Sequence, residues 1–179
     1  MKKFCISLMI IVIILLSVAC GQDSKTKEST EYLRIHIRAN SNSEEDQNVK
    51  YAVKEAVVNY LTPIVADCKT KSEATEKISL RSDDIRYIAD EILKANGFEY
   101  SSLVKVCSEE FPTRVYEDLT LEKGYYDALI IGLGKAEGDN WWCVVYPPLC
   151  FTSGGNVKYR SKILEIIAEF KQRMQSEDI

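Results

Sequence analysis

The stretch Leu33-Arg34-Ile35-His36-Ile37-Arg38 contains the clearest strand signal in this 179-residue chain. Apolar side chains alternate with charged or polar ones at every second position, which is the period of a β-strand with one buried face. The polar run Asn40-Ser41-Asn42 ends the strand. The folded part of the chain therefore begins with a strand near Tyr32, and the elements that follow decide the fold class.

Two helical regions are predicted next. Ser43, followed three residues later by Asp46, resembles a capping box, and apolar residues then recur at helical spacing as far as Thr62-Pro63. A second helical region begins near Ser72. Asn96-Gly97 predicts its end, because glycine accepts the left-handed conformation that closes a helix.

The second half of the chain is predicted to be mostly sheet. One strand lies near Tyr100 to Ser108, Arg114 to Tyr116 forms a short edge piece, and two strong strands cover Tyr125 to Leu133 and Trp141 to Tyr146. Gly134 to Asn140 carries two glycines and is predicted to be the loop of a hairpin between the two strong strands.

A final amphipathic helix is indicated by apolar residues at helical spacing, namely Ile163, Ile166, Ile167, Phe170 and Met174. A strand, two helical regions, several strands and a helix indicate an α+β fold. We expect a single domain over residues 31–175, with helices packed on a mostly antiparallel sheet.

The N-terminus has the pattern of an export signal. Lys2 and Lys3 precede the apolar run Phe4 to Leu16, and Ser17-Val18-Ala19 places small residues just before Cys20. The run is shorter than the roughly 20 apolar residues of a bilayer span. Residues 1–19 are therefore predicted to be a signal peptide, followed by a flexible polar tether over residues 20–30.

Cys20 leaves two modes of processing open. Cys20 followed by Gly21 suggests a lipoprotein, in which the cysteine is lipidated and tethers the protein to a membrane. Ser17, however, stands where a lipoprotein signal normally carries leucine. Ordinary secretory cleavage after Ala19 fits equally well.

The charge of the exported chain excludes one class of partner. Without Lys2 and Lys3, 21 basic side chains face 27 acidic ones, a net charge of −6. Such a chain has no basic footprint for nucleic acid.

Four cysteines remain in the expected domain: Cys68, Cys107, Cys143 and Cys150. Outside the cytoplasm disulfides persist, and four cysteines allow three pairings. Cys143 and Cys150, with Pro147-Pro148 turning the chain between them, form the natural short pair. The alternative is that all four are buried thiols that pack as small apolar residues.

Sequence motifs for catalysis and for cofactors are weak. His36 is the single histidine, and a catalytic triad would need it beside a nucleophile such as Cys143 and a carboxylate such as Asp46. The alternative is a structural histidine. No metal site is expected, because CxxC, HxxxH and a second histidine are lacking. Gly132-x-Gly134 leads into a predicted hairpin and not a helix, so no dinucleotide or other cofactor is expected.

The segment from Asn140 to Phe151 combines both tryptophans, two cysteines and two prolines. Trp141 and Trp142 are adjacent on a strand and must point to opposite faces. The segment is either a well-packed strand with a disulfide corner or an aromatic recognition surface of the kind that concentrates binding energy.

The same segment resembles the signature of the stage II sporulation protein R family of endospore-forming bacteria. Further blocks resemble the family in the same order, namely Leu33 to Ser41 with Glu45-Asp46-Gln47, Phe111 to Tyr116, and Gly124 to Leu129 with Ile131 to Gly134. The departures are Glu122-Lys123-Gly124, where the family usually has Pro-Ala-Gly, and a tail beyond Phe151 that matches only loosely.

The resemblance implies a signal and not an enzyme. Proteins of this family are exported from the forespore into the space between the forespore and mother-cell membranes. There they activate a membrane-embedded aspartic protease of the mother cell, which matures pro-sigma-E. The expected partner-binding residues are His36, Phe111, Pro112, Arg114, Tyr116, Asn140, Trp141 and Trp142.

Two other functions compete with this one. The first is an exported hydrolase that uses Cys143 and His36 on peptide or cell-wall material. The second is a membrane-tethered lipoprotein that binds a small ligand.

Overall fold

The computed structural model describes residues 31–116, 119–151 and 157–177, with the side chains of 157–160 and 177 excepted. The predicted signal peptide, the predicted tether and Cys20 lie outside the described residues, and so does the predicted loop over residues 153–156.

Strands and helices confirm the α+β fold and follow the expected order, apart from one additional short strand over residues 119–121 that was not predicted. The strands are β1 Leu33–Arg38, β2 Ser102–Phe111, β3 Arg114–Tyr116, β4 Leu119–Leu121, β5 Gly124–Leu133 and β6 Asn140–Tyr146. The helices are α1 Glu44–Val65, α2 Lys71–Ser79, α3 Ser82–Ala95 and α4 Val157–Glu177, with a 3-10 turn at Leu149–Phe151.

The main sheet has four strands in the order β2-β5-β1-β6. Two of its three pairings are antiparallel, whereas β1 and β5 run parallel. Strands β3 and β4 form a separate two-stranded antiparallel sheet.

The predicted hairpin between β5 and β6 is wrong, because β1 lies between these two strands. Ile35 stands opposite Leu129 of β5 on one side and Cys143 of β6 on the other. Because β1 occupies the position between β5 and β6, these two strands cannot pair with each other.

The expectation that β1 has one polar face is also wrong. Leu33, Ile35 and Ile37 point into the core beneath the helices, as the alternation predicts. Arg34 is 0% exposed and His36 5% exposed on the opposite face. Aromatic residues cover this second face, so Arg34 and His36 are buried too, whereas Arg38 at the end of β1 is partly exposed.

Local signals set the helix ends. The Ser43 hydroxyl accepts a hydrogen bond from the Asp46 amide at 3.2 Å, which confirms the predicted cap of α1. Helix α1 continues slightly beyond its predicted end, with Pro63 inside its last turn. Gly97, at φ +82°, follows α3 as predicted. The second helical region consists of two helices, α2 and α3, and Thr70 caps the first.

The main core lies between the helices and one face of the sheet. Its fully buried helical side chains include Val53, Val57, Leu61, Ile78 and Ile85, and α4 adds Ile163 and Phe170. Each such burial contributes about 1.5–3 kcal/mol. Over the described part of the chain, no helix combines the length and the apolar character that a membrane crossing requires.

Candidate partner-binding surface

The second face of the sheet, opposite the helices, carries a smaller core of its own. Phe111, Tyr126 and Val144 are buried there, and Tyr116 and Trp142 pack against them while remaining partly exposed. We call this face, with Arg34 and His36, the aromatic face. The aromatic face forms because alternate residues of β1 and β6 point away from the helices.

His36 is held from both sides on the aromatic face. Its Nδ1 lies 2.7 Å from Glu109 Oε1, and its Nε2 lies 2.8 Å from Asn140 Oδ1. The imidazole also packs against Trp142, with ring centroids 5.2 Å apart. Burial lowers the pKa of His36 below its ordinary value of 6.5, although the hydrogen bonds to Asn140 and Glu109 act in the opposite direction.

Glu109 joins His36 to a second basic residue. Arg38 Nη2 donates to Glu109 Oε1 at 2.6 Å. Burial raises the pKa of Glu109, but hydrogen bonds from His36 and Arg38 outweigh it, so that the pKa is lowered overall. Asn140, His36, Glu109 and Arg38 therefore form one continuous polar chain that leads from an interior histidine to a half-exposed arginine.

Arg34 lies deeper in the same face, among aromatic rings. Its guanidinium carbon is 4.2 Å from the ring centroid of Phe111, 4.9 Å from that of Tyr126 and 5.8 Å from that of Tyr116. Nη2 donates to the Tyr116 hydroxyl at 2.8 Å. Cation–π contacts of this kind stabilise a desolvated cation.

The outer part of the aromatic face combines aromatic and cationic groups. The Arg114 guanidinium stacks on Trp142, 4.2 Å from the ring centroid, and both side chains are partly exposed. Asn140 and Pro112 are exposed, and Val115 is 66% exposed. Tryptophan and arginine are the residues that most often dominate binding energy at protein interfaces.

The structure brings together six of the eight residues predicted to bind a partner. They are His36, Phe111, Arg114, Tyr116, Asn140 and Trp142. His36 and Phe111 are buried, so they support the surface from behind. Pro112 is exposed just after the end of β2.

Trp141 lies on the other face of β6, where it packs against the main core, with Lys54 Nζ 6.0 Å from its ring centroid. The expectation that adjacent tryptophans point to opposite faces is therefore confirmed. Only Trp142 belongs to the aromatic face.

Three central residues of this face, Arg34, Glu109 and Tyr126, were not predicted. Arg34 and Glu109 resemble ordinary charged residues of alternating strands. Their roles depend on partners far away in the chain, such as Tyr116, 82 residues from Arg34, and His36, 73 residues from Glu109.

The proposed Cys143–His36 catalytic pair is wrong, because the two residues lie on opposite faces of the sheet. Cys143 stands opposite Ile35 and faces the main core, whereas His36 belongs to the aromatic face. Cys143 is joined to Cys150 in a disulfide, with Cα atoms 5.9 Å apart. A sulfur in a disulfide is not a thiolate nucleophile.

The carboxylate proposed to orient this triad is also engaged elsewhere. Asp46 is 4% exposed and accepts hydrogen bonds from Asn40, Ser41 and Tyr100. Burial raises its pKa, but these hydrogen bonds lower it more. Asp46 therefore stabilises the connection between β1 and α1.

The described residues, 31–116, 119–151 and 157–177, offer few features of a small-ligand site. In these ranges no three His, Cys, Asp or Glu side chains are placed to hold a metal ion. Two cavities, of about 250 and 460 Å³, lie beside the helices. Neither is lined by a residue of the aromatic face.

The sequence matches known proteins over the region that forms this face. The sequence model for stage II sporulation protein R matches residues 29–156. A curated relative, the stage II sporulation protein R of Bacillus subtilis (strain 168), is 37% identical over 124 residues, which is 69% of this chain and 55% of the relative.

The chain thus aligns with about half the length of that relative. No solved structure matches this chain. The four sequence blocks that carried the resemblance all lie within residues 29–156. The chain belongs to the stage II sporulation protein R family, which supports a role in sporulation.

Proposed function

We propose that this protein is an intercellular signal of endospore formation that activates a membrane-embedded aspartic protease of the mother cell. Activation leads to proteolytic maturation of pro-sigma-E. The protein acts as a binding partner and not as an enzyme. The protease is recognised through the outer part of the aromatic face, centred on Trp142 and Arg114.

The observation that carries this proposal is the stacking of Arg114 on Trp142, supported by a buried layer of His36 and Phe111. Rigid aromatic side chains bind with little loss of conformational entropy, because their rotamers are already held. The residues of this arrangement come from separate parts of the matched family region.

The proposed site of action follows from the N-terminal sequence. Residues 1–19 direct export from the forespore into the space between the two membranes. Cys20 decides whether the protein stays at the forespore membrane through a lipid or diffuses across the gap. Growth with a radiolabelled fatty acid separates the two cases, because a lipidated chain takes up label and a Cys20→Ser chain does not.

The signal acts by shifting a conformational equilibrium of the protease. A ligand activates only by the ratio of its affinities for the active and inactive forms. A shift from 1% to 99% active form requires about a 10⁴-fold preference for the active form. A preformed recognition surface supports such a preference, since little binding energy is lost in ordering it.

The test is reconstitution in a heterologous host that makes the candidate protease, its pro-sigma-E substrate and this protein. We expect processing to require this protein. Processing of equal extent in its absence would refute the proposal.

The surface assignment is tested in the same host with Trp142→Ala and a matched control, Tyr87→Ala. Tyr87 is 66% exposed on α3, on the helical side of the sheet. We expect Trp142→Ala to reduce processing about tenfold or more, as for an interface hot spot, and Tyr87→Ala to leave it unchanged. Equal processing by the two folded, exported variants would contradict this surface assignment.

A further inference from the structure

Arg34 is a fully buried cation with unused hydrogen-bond donors. It is 0% exposed, and neither Nε nor Nη1 has a hydrogen-bond partner among the residues that the structure describes. Its one hydrogen bond to a described residue runs from Nη2 to the Tyr116 hydroxyl. Among the described residues, no carboxylate forms an ion pair with it.

This arrangement is costly as a purely structural device. A buried charge is normally paired, and a buried N–H group without an acceptor loses its hydration without replacement. The faces of Phe111, Tyr126 and Tyr116 offset part of this cost through cation–π attraction. They cannot accept the N–H groups in the guanidinium plane, so the donors of Nε and Nη1 remain available.

The cover over Arg34 is a small, separate element. Strands β3 and β4 pair with each other and form no ladder with the main sheet. Tyr116 of β3 supplies the hydroxyl that meets Arg34, and Leu121 of β4 is 4% exposed against the same cluster. Moving Tyr116 therefore breaks one hydrogen bond to the guanidinium and no backbone ladder of the main sheet.

We propose that Arg34 is a binding site for a carboxylate of the partner, which enters when the Tyr116 side chain turns away from Arg34 and leaves the Arg114–Trp142 stack in place. This inference rests on the proposed function, because the carboxylate belongs to an acidic segment of the protease that faces the intermembrane space. The partner side chain replaces the neutral tyrosine hydroxyl with a charged acceptor.

The chemistry of the site favours a carboxylate. A guanidinium presents coplanar N–H donors that match two carboxylate oxygens, and charge-assisted hydrogen bonds are about twice as strong as neutral ones. The approach also carries a cation, since the Arg114 guanidinium stacks on Trp142 at the outer surface. An acidic segment is therefore attracted to the surface before it reaches Arg34.

The experiment compares processing with stability for Arg34→Met in the full-length protein. Replacing a buried, unpaired charge by an apolar side chain of similar length is neutral or stabilising for the fold. We therefore expect an unchanged or higher urea midpoint, together with about a tenfold or greater loss of processing. A folded Arg34→Met protein that supports normal processing would overturn the proposal.

Two further variants test the same site. Arg34→Lys keeps the charge but loses the planar fork, and we expect about a threefold or greater loss of processing. If Arg34→Met does not fold, Arg34→Lys is the test of the carboxylate site. Processing by a folded Arg34→Lys protein at the wild-type level would then refute that site. Tyr116→Phe removes only the competing hydroxyl, and we expect more processing at limiting protein levels; a loss would contradict its role as a displaceable acceptor.

The wild-type protein and one double variant separate the remaining explanations. If the wild-type protein supports no processing in the host, the proposed function itself has failed. Glu117→Gln combined with Asp118→Asn removes the two carboxylates that the sequence places between β3 and β4. We expect this variant to process normally. A loss equal to that of Arg34→Met would identify the acceptor as internal and overturn the proposal.

Discussion

The strongest stability prediction concerns Phe111, whose ring is 0% exposed at the centre of the aromatic face. Phe111→Ala removes contacts with three neighbours, since the ring lies 4.2 Å from the Arg34 guanidinium and its centroid is 5.8 and 5.9 Å from those of His36 and Tyr126. The variant therefore loses buried apolar area and also exposes a buried cation to an empty space.

The magnitude follows from these contacts. A buried Phe→Ala substitution costs about 3–5 kcal/mol of the free energy of unfolding. A desolvated cation–π contact is worth about 2 kcal/mol, so we expect the upper part of that range, about 4–5 kcal/mol. For a domain of this size, such a loss lowers the melting temperature by roughly 10 °C or more.

The assay is urea denaturation followed by tryptophan fluorescence and circular dichroism. Leu103→Ala is the control, because Leu103 is 66% exposed on β2, in the same strand as Phe111. We expect the control to change stability by less than about 0.5 kcal/mol. A cost below about 1 kcal/mol for Phe111→Ala would refute the view that the aromatic face is a second core.

A double-mutant cycle separates the cation–π part of this cost from simple burial. Phe111→Leu keeps most of the apolar volume, and Arg34→Met removes the cation. We expect a coupling energy of about 1–2 kcal/mol between the two positions. A coupling near zero would mean that Phe111 contributes only apolar burial.

Three further predictions concern His36, the disulfide between Cys143 and Cys150, and the carboxylate of Asp46. Because burial lowers the pKa of His36, the folded state favours the neutral ring and the unfolded state binds a proton more readily; stability should fall between about pH 7.5 and 5.5, and His36→Gln should flatten this part of a urea-midpoint profile. If the urea midpoint of His36→Gln depends on pH as steeply as that of the wild-type protein, protonation of His36 is not the cause of the pH dependence. Cys150→Ala removes the disulfide to Cys143 and should lower the free energy of unfolding by about 2–3 kcal/mol relative to the wild-type protein under oxidising conditions. When reductant is present, the wild-type protein loses the same bond, so this difference should disappear. The control Cys107→Ala, a free and partly exposed cysteine, should be insensitive to reductant. Asp46→Asn should cost roughly 2–4 kcal/mol, because a buried carboxylate loses charge-assisted hydrogen bonds, and a urea midpoint equal to that of the wild-type protein would show that these bonds contribute nothing net.

Local sequence patterns predicted most of the secondary structure. The alternation from Leu33 to Arg38 predicts a strand, Ser43 caps the first helix, and Gly97 follows the third with a positive φ. These predictions depend on interactions within a few residues of each other, such as the period of side chains along an element or a hydroxyl that reaches an amide three residues on. The sequence carries such information directly.

The candidate surface was predicted in part. Trp142, Arg114 and Phe111 were expected to bind a partner because they belong to family-like blocks in separate parts of the chain, and the structure places them on one face. Trp141 was grouped with them because it belongs to the same block, yet the strand period points it to the other face. A shared sequence block therefore does not establish a shared surface.

The sequence by itself determined the α+β class, the order of strands and helices, the cap of α1 and the family. Only the tertiary structure decided that β1 is inserted between β5 and β6, and that Arg34 and His36 are buried beneath aromatic rings. The physical reason is that every strand offers the same backbone N–H and C=O groups, so pairing depends on how distant elements share the available apolar surface. The charged face of β1 looks solvent-exposed in the sequence because the rings that cover it, Phe111 and Tyr126, come more than 70 residues later in the chain.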